Sequence, residues 1–476
     1  MTLDFWRRIG ELLINTGAVT GWTLLISGVL GVTLGLLLFR LRLPGAGIYR
    51  GMLVAGLFIP MHVSVTAWRA VWLPFSHTLP EQLHAALLQA PAYVPLMAWF
   101  TGLALLTADP SNEDQALLDA RPAKVWLRVT LREAAPTLLA GLILVAIFVS
   151  GEITATDVLA VRTFAEEIYT QFVLQKPAQA LGVALVLSTL TLALCVAFLR
   201  FLRPLTEVSL EGFGRRLQRR ATTAEKPLLA VWIWLILAAL WGVPLFYLVR
   251  AVKAPRLLWQ AAQVVREEIV CTLALGAVGA LIIAMLAPLL ARGMDRWRKR
   301  HPRRFHAGAL GLFLLAMLPA PLVGWVILYA LRQPFVPAVF SDTAIIVLLV
   351  WTARFLPLSA LIALPFVAAQ PEEIGWLRRL DGTNPVQRLL FIILPIDAPL
   401  IGALTAMNFA WIIGELGATA IAVPPGLPLL SVRIFTLLHY GVYYEVAGAA
   451  LILLLPMLLA GAILAGAVNR MLARIG

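Results

Sequence analysis

Long apolar segments recur along nearly the whole chain, and they constrain the fold more than any other feature. Hydrophobic residues make up 61% of the 476 residues and charged residues only 13%, whereas soluble domains carry about 25% charged residues. The sequence therefore predicts an all-α polytopic membrane protein. A membrane helix needs roughly 20 apolar residues. On that rule we expect about eleven transmembrane helices, at 16–39, 51–73, 86–107, 137–158, 179–201, 228–250, 268–291, 306–331, 343–367, 399–422 and 446–469.

The distribution of basic residues predicts the orientation. Cytoplasmic loops of membrane proteins are enriched in Lys and Arg. Placing the N-terminus outside puts most of the 38 Lys and Arg residues inside and the C-terminus in the cytoplasm, although Arg7 and Arg8 run against this bias. We expect residues 1–15 to form a short interfacial helix and not a signal peptide. The net charge of +13 does not indicate nucleic acid, because so apolar a chain leaves no soluble basic face.

Two Arg-rich segments, 215–220 and 292–304, allow two interpretations. They are topology determinants on the cytoplasmic side, or they bind anionic lipid or a regulator. In either case we expect membrane lipid to be a partner of the chain.

The sequence contains no signature of a catalytic centre. Cys195 and Cys271 lie in apolar segments and form no CxxC pair, and HExxH is absent. A P-loop needs a lysine directly after glycine to hold phosphates, and no lysine in this chain follows a glycine. We therefore expect no enzyme activity, no metal site and no bound cofactor in this chain.

Several short motifs occur twice and in the same order. GEITAT at 151–156 is repeated as GELGAT at 414–419; the other pairs are IPM 59–61 with LPA 318–320, LLDA 117–120 with RLDG 379–382, and VRTF 161–164 with VRIF 432–435. The order predicts an internal duplication. We divide the chain into a first five-span repeat at 1–202, a basic cytoplasmic linker with one extra span at 203–265, and a second repeat at 266–476. The extra span makes the two repeats parallel.

The repeated hexapeptides place one carboxylate each, Glu152 and Glu415, at the same depth in the outer third of the bilayer. A charged side chain facing lipid costs at least about 2.5–3.5 kcal/mol. Both glutamates are therefore expected to line one central pathway as a gate. The remaining candidate residues of this pathway are Gly151, Thr154, Thr156, Gly414 and Thr419. Two alternatives stay open: each glutamate caps or cross-links neighbouring helices, or the carboxylates ligate a hard cation.

Two polar loops, at about 108–136 and 368–398, interrupt the apolar pattern. The second loop reads as a helix, a turn at 381–385 and a second amphipathic helix, with Gly382 suited to a left-handed helix end and Pro385 to a helix start. Such an element docks into a groove of a soluble partner, or it is an ordinary solvated connection.

The second loop resembles the EAA loop of binding-protein-dependent ABC import permeases, of the form EAA-x3-G-x9-I-x-LP. Gly382, Ile392, Leu394 and Pro395 stand at the matching positions. In the first loop Asp114 and Ala116 occupy EAA positions, Ala120 replaces the glycine and Arg132 the proline. The resemblance implies that the loops contact an ATPase, through Asp114, Ala116, Leu118, Asp119 and Ala120 in the first half and Leu380, Asp381 and Gly382 in the second.

A fused double permease of this length is similar to the iron(III) import permeases, above all in the segment 149–172. The resemblance implies a type I ABC importer permease in the bacterial inner membrane. Its partners would be two cytoplasmic ATPase subunits, which hold ATP and magnesium, and an extracytoplasmic substrate-binding protein. Fused permeases for thiamine or phosphonate are also similar, so these substrates stay open. The alternative from another class is a secondary transporter driven by an ion gradient, with Glu152 and Glu415 as proton or cation sites.

Overall fold

The computed structural model describes residues 3–40, 45–75, 78–107, 110–206, 226–370, 387, 391, 393–440 and 444–475. Every regular element in these ranges is helical. The α-helices are α1 (Leu3–Arg40), α2 (Ala46–Gly56), α3 (Met61–Trp72), α4 (Glu81–Thr107), α5 (Pro110–Asp119), α6 (Pro122–Val125), α7 (Leu131–Ser150), α8 (Thr154–Val158), α9 (Phe164–Val173), α10 (Pro177–Thr206), α11 (Lys226–Leu237), α12 (Val243–Val252), α13 (Pro255–Val264), α14 (Arg266–Arg300), α15 (Pro302–Met317), α16 (Ala320–Leu331), α17 (Ile345–Ala368), α18 (Leu394–Ile413), α19 (Thr419–Ala422), α20 (Leu430–Leu438) and α21 (Tyr444–Ile475).

The helices have the length and apolar character of a multi-pass membrane protein. Among the described residues, eight are long and apolar enough to cross a membrane, or up to ten if each of two bent helix pairs is one span. The predicted third span corresponds to α4, a 27-residue helix that contains Pro91 and Pro95 and is not among these eight. The polytopic helical fold is thus confirmed, while the number of eleven stays a prediction.

Two predicted spans are not straight helices. The span predicted at 51–73 is broken between α2 and α3 with a bend of 102°, and the span at 306–331 is broken between α15 and α16 with a bend of 93°. Pro60 and Pro319 stand immediately before α3 and α16. Proline lacks an N–H and disfavours a helical conformation in the preceding residue. The repeated IPM and LPA motifs therefore mark the same break in each half.

Three other predicted boundaries were wrong. Residues 3–15 do not form a separate interfacial helix, because α1 runs without interruption from Leu3 to Arg40. The spans predicted at 137–158 and 399–422 end earlier, since α7 stops at Ser150 and α18 at Ile413. Both hexapeptides consequently follow the ends of long helices and lead into the short helices α8 and α19.

The two halves use the same order of elements: a long first helix, a bent pair, a long helix, and a 20-residue helix ending at the hexapeptide. A threonine on each first helix also makes an equivalent bond. Thr16 Oγ1 of α1 accepts the backbone N–H of Phe164 at 3.1 Å, and Thr272 Oγ1 of α14 accepts that of Leu430 at 2.8 Å. These two N–H groups open α9 and α20, which the first helices thereby hold in place.

The halves interlock through their bent pairs. In the first half α2 and α3 pack against α21 of the second half, while in the second half α15 packs against α10 and α16 against α9. Within each half, the first helix packs on the helix that follows the bent pair, as α1 does on α4 and α14 on α17. Because each bent pair packs against helices of the other half, both hexapeptides lie at the boundary between the halves.

Candidate functional site

A cavity of about 690 Å³ lies between the two halves. Its wall is built from both repeats, including the breaks of both bent pairs, the end of α7, and parts of α4, α10, α15, α17 and α18. Both repeated glutamates border it. Ligand cavities of several hundred Å³ with mostly apolar walls and a few polar groups are the usual form of a small-molecule site.

Glu415 is only 6% exposed and has a full set of partners. Its carboxylate accepts the backbone N–H groups of Ala418 at 2.8 Å and Thr419 at 2.9 Å, and it also accepts the Thr419 hydroxyl. Arg354 Nε lies 3.7 Å from Glu415 Oε1. The glutamate therefore caps α19 and forms an ion pair with α17, two roles that both fix the end of α18.

Glu152 holds the equivalent position with fewer partners. Its Oε1 accepts the backbone N–H of Thr154 at 2.7 Å, which is the first residue of α8. The charges of Arg354 and Glu415 act on the Glu152 carboxylate. The repeat is thus asymmetric in chemistry: Glu415 contacts the guanidinium of Arg354, whereas Glu152 contacts no guanidinium in the part of the chain that the structure describes.

Arg354 connects the site to the break of the second bent pair. Its Nη1 donates to the backbone carbonyl of Leu318 at 3.3 Å, in the segment between α15 and α16. Trp351, one turn before it on α17, donates its indole N–H to Thr419 Oγ1 at 2.9 Å. Helix α17 therefore contacts the hexapeptide of its own half through two side chains, Arg354 and Trp351.

Close backbone packing surrounds the second hexapeptide more than the first. A Cβ added at Gly414 would lie 2.9 Å from Pro60 Cβ, so the hexapeptide of the second half touches the break of the first. A Cβ at Gly324 on α16 would lie 2.4 Å from the carbonyl oxygen of Ala418. At Gly151 the nearest atom to an added Cβ would be 3.7 Å away, an ordinary contact.

The structure separates the seven predicted pathway residues into two groups. Five of them border the cavity: Gly151, Glu152, Thr154, Gly414 and Glu415. The other two bond within the protein. Thr156 Oγ1 donates to the carbonyl of Ile153 at 3.1 Å, and Thr419 is engaged by Glu415 and Trp351.

The predicted ATPase-coupling residues of the first loop do not border the cavity. Asp114, Ala116, Leu118 and Asp119 belong to α5 and Ala120 follows it. Leu118 is 85% exposed. Leu380, Asp381 and Gly382 lie outside the described residues, as does most of the helix–turn–helix predicted there.

Sequence reasoning did not place two polar residues of the cavity wall, His62 and Arg354, at the site. His62 borders the cavity just after Pro60, and its Nε2 has no hydrogen-bond partner within the described ranges. The apolar run around it gave no sign of a shared cavity. Arg354 lies within an apolar segment, and the spacing of the sequence did not identify Glu415 as its partner. No three His, Cys, Asp or Glu side chains converge on a metal geometry within the described part of the chain.

Comparisons with known proteins do not assign the chain to a family. No protein-family model matches the sequence, and no curated protein matches it.

Proposed function

We propose that this chain is the permease subunit of an ATP-driven ABC importer in a bacterial inner membrane, with the C-terminus in the cytoplasm. The observation that carries the proposal is the convergence of both repeated carboxylates on one cavity between the two halves. A duplicated membrane protein with a shared midline cavity is a known transporter plan. The EAA-like loop, quoted above, favours the ABC class within that plan.

The two ATPase subunits of the proposal would dock at the end of the bundle where α5 lies. Arg40 at the end of α1 forms an ion pair with Glu113 of α5, and Asn112 Nδ2 of α5 donates to Glu133 of α7 at 2.8 Å. These bonds hold α5 against two long helices, while Leu118 projects from it. An exposed apolar side chain on a helix fixed in this way suits insertion into a groove on a soluble partner.

The chain would itself perform no chemistry. In the proposal the ATPases hold ATP and magnesium, and a substrate-binding protein delivers the solute on the opposite side. Iron(III) is the substrate favoured by the resemblance of segment 149–172, with thiamine, phosphonate or another small solute as alternatives.

The test is to purify the tagged chain from its native membrane and to identify co-purifying proteins by mass spectrometry. We expect an ATP-binding-cassette ATPase at about two copies per chain, the number that two loops imply. The Leu118→Glu variant should lose most of the captured ATPase while its thermal unfolding stays unchanged. Capture that is absent even after mild cross-linking would contradict the proposal.

The second candidate is a secondary transporter, favoured by the position of Glu152 in the cavity, where no cationic side chain of the described ranges contacts it. Polar residues in membrane interiors often carry protons or ions in such proteins. Reconstitution discriminates the two. Uptake by the purified chain alone, driven by an ion gradient, would support the second candidate and contradict the first.

A further inference from the structure

We propose that the cavity between the halves binds an amphipathic organic cation, with the cationic group beside Glu152 and an apolar body further along α7 and α17. The inference rests on the proposed function only in taking the cavity as the substrate pathway. It deepens that proposal by assigning a substrate class from the cavity itself, and this class replaces iron(III), which only the resemblance of segment 149–172 favours.

The first step is the charge of the polar region. Three charged side chains on the cavity wall interact electrostatically. They are Glu152, Arg354 and Glu415. Arg354 contacts Glu415 at 3.7 Å, so these two charges compensate each other. Among the described residues Glu152 has no such contact, and its carboxylate leaves an excess of negative charge. A buried carboxylate is stabilised by a nearby opposite charge, which a cationic ligand would supply.

The second step is the aromatic surface around the carboxylates. Phe148 on α7 stands four residues before Glu152, and Trp411 on α18 stands four residues before Glu415. Both aromatic side chains border the cavity. Phe355, beside Arg354, stacks against Trp411 with ring centroids 6.0 Å apart. Tyr93 of α4 also borders the cavity. Aromatic faces attract organic cations, and such rings recognise quaternary ammonium groups.

The third step is the apolar part of the wall. On α17 the lining continues from Arg354 to Leu358, Leu361 and Ile362. On α7 it continues from the Glu152 end back to Leu144. At 1.5 Å per residue these stretches extend about 12 Å from the charged groups. On each helix the apolar lining extends from the charged group in one direction along the chain, so the wall offers a molecule with one charged end both a polar and an apolar surface.

The fourth step is a buried polar group on the cavity wall, the His62 imidazole. His62 is 1% exposed, borders the cavity, and has an unbonded Nε2 within the described residues. Buried polar atoms normally have a hydrogen-bond partner. A ligand with a donor or acceptor next to its cationic group would satisfy the imidazole, and it would meet His62 and Glu152 in the same cavity.

The experiment measures binding to the purified full-length chain in lipid nanodiscs, without ATPase or ATP. The probe is radiolabelled (4-phenylbutyl)trimethylammonium in equilibrium dialysis, with empty nanodiscs subtracted to remove partition into lipid. The matched anion is 6-phenylhexanoate, and ferric citrate is the inorganic competitor. We expect saturable binding of the cation, with no displacement by the anion or by ferric citrate.

Two variants locate the ligand. Glu152→Gln should weaken binding of the cation about tenfold, which corresponds to about 1.4 kcal/mol. Leu361→Trp should abolish binding by filling the apolar part, whereas Leu349→Trp, on the exposed side of the same helix, should bind as the unchanged protein does. Thermal unfolding of each variant shows that the fold is retained.

Equal binding of the anion, displacement by ferric citrate, or unchanged binding by Glu152→Gln would overturn the inference. None of these binding results changes whether an ATPase co-purifies with the chain. Failure of the substrate class is therefore distinguishable from failure of the proposed function. Conversely, saturable and Glu152-dependent binding supports the substrate class even where no ATPase is captured.

Discussion

His439 and Asp157 join the two halves of the chain, with Nε2 of the imidazole 2.9 Å from Oδ2 of the carboxylate. Asp157 lies on α8, just after the first hexapeptide, and His439 directly follows α20 of the second half. Beside this pair, Tyr169 and Phe435 make an edge-to-face contact with centroids 6.0 Å apart. The contact crosses the boundary between the repeats near the carboxylates that border the cavity.

The His439–Asp157 pair is expected to contribute little stability. The histidine side chain is 45% exposed and the aspartate 14%, and exposed ion pairs contribute about 0.2–1 kcal/mol. A double-mutant cycle with Asp157→Asn and His439→Gln, followed by thermal unfolding in detergent, measures the coupling. A coupling energy well above about 2 kcal/mol would instead identify the pair as a main attachment between the halves.

A second ion pair is expected to behave differently because it is buried. Arg292 of α14 contacts Asp397 of α18 at 2.5 Å, and Gln370, after α17, donates to the same carboxylate at 2.8 Å. Asp397 is 1% exposed. Asp397→Ala should therefore lower the free energy of unfolding by about 3–5 kcal/mol, since it leaves a buried guanidinium without its partner.

The control for this prediction is present on the same helix. Asp295 of α14 contacts Arg298 at 2.7 Å, with the arginine side chain 44% exposed. Asp295→Ala should cost less than about 1 kcal/mol. The double variant Arg292→Met/Asp397→Leu should recover most of the stability lost in Asp397→Ala, because no unpaired charge remains. A loss in the double variant as large as in the single one would contradict this account.

The two repeated glutamates should differ in their effect on stability. Glu415 accepts two backbone N–H groups and a hydroxyl and pairs with Arg354, whereas Glu152 accepts the backbone N–H of Thr154, whose hydroxyl also acts on it, and has no contacting cationic side chain among the described residues. Glu415→Ala should cost about 3–5 kcal/mol, the usual effect of breaking a buried pair. Glu152→Ala should cost about 0.5–2 kcal/mol, the value of a helix cap. Thermal unfolding of both variants under the same conditions measures the two losses of stability. Equal losses would contradict the difference in bonding between Glu415 and Glu152.

Sequence reasoning succeeded where one physical rule acts locally. The apolar segments predicted a polytopic helical protein because the length of a membrane helix follows from bilayer thickness. The prolines show where prediction from the local sequence fails. Pro91 and Pro95 lie inside the continuous helix α4, whereas Pro60 and Pro319 accompany sharp breaks. Tolerance depends on whether neighbouring groups satisfy the freed carbonyls, and the local sequence does not contain those neighbours.

The candidate site was predictable in part for the same reason. The duplication and the cost of a buried carboxylate selected Glu152 and Glu415, and both border one cavity. The difference between them was not predictable, since Arg354 lies on another helix and its distance from Glu415 depends on the packing of α17 against α18. The hexapeptides were expected within spans, yet each follows a helix end and caps the next short helix.

Close packing at the second hexapeptide gives a final prediction, on Gly324 of α16. A Cβ at this position would lie 2.4 Å from the backbone oxygen of Ala418. A backbone atom cannot move aside as a flexible side chain can, so Gly324→Ala should cost about 1–3 kcal/mol by overpacking. The matched control is Gly311→Ala on α15, where an added Cβ meets no atom within 4 Å. That substitution should be neutral or stabilise by about 0.5–1 kcal/mol, since alanine loses less backbone entropy in a helix. Thermal unfolding of the two variants tests the contact directly. A Gly324→Ala protein as stable as Gly311→Ala would mean that α16 and the second hexapeptide are not in contact.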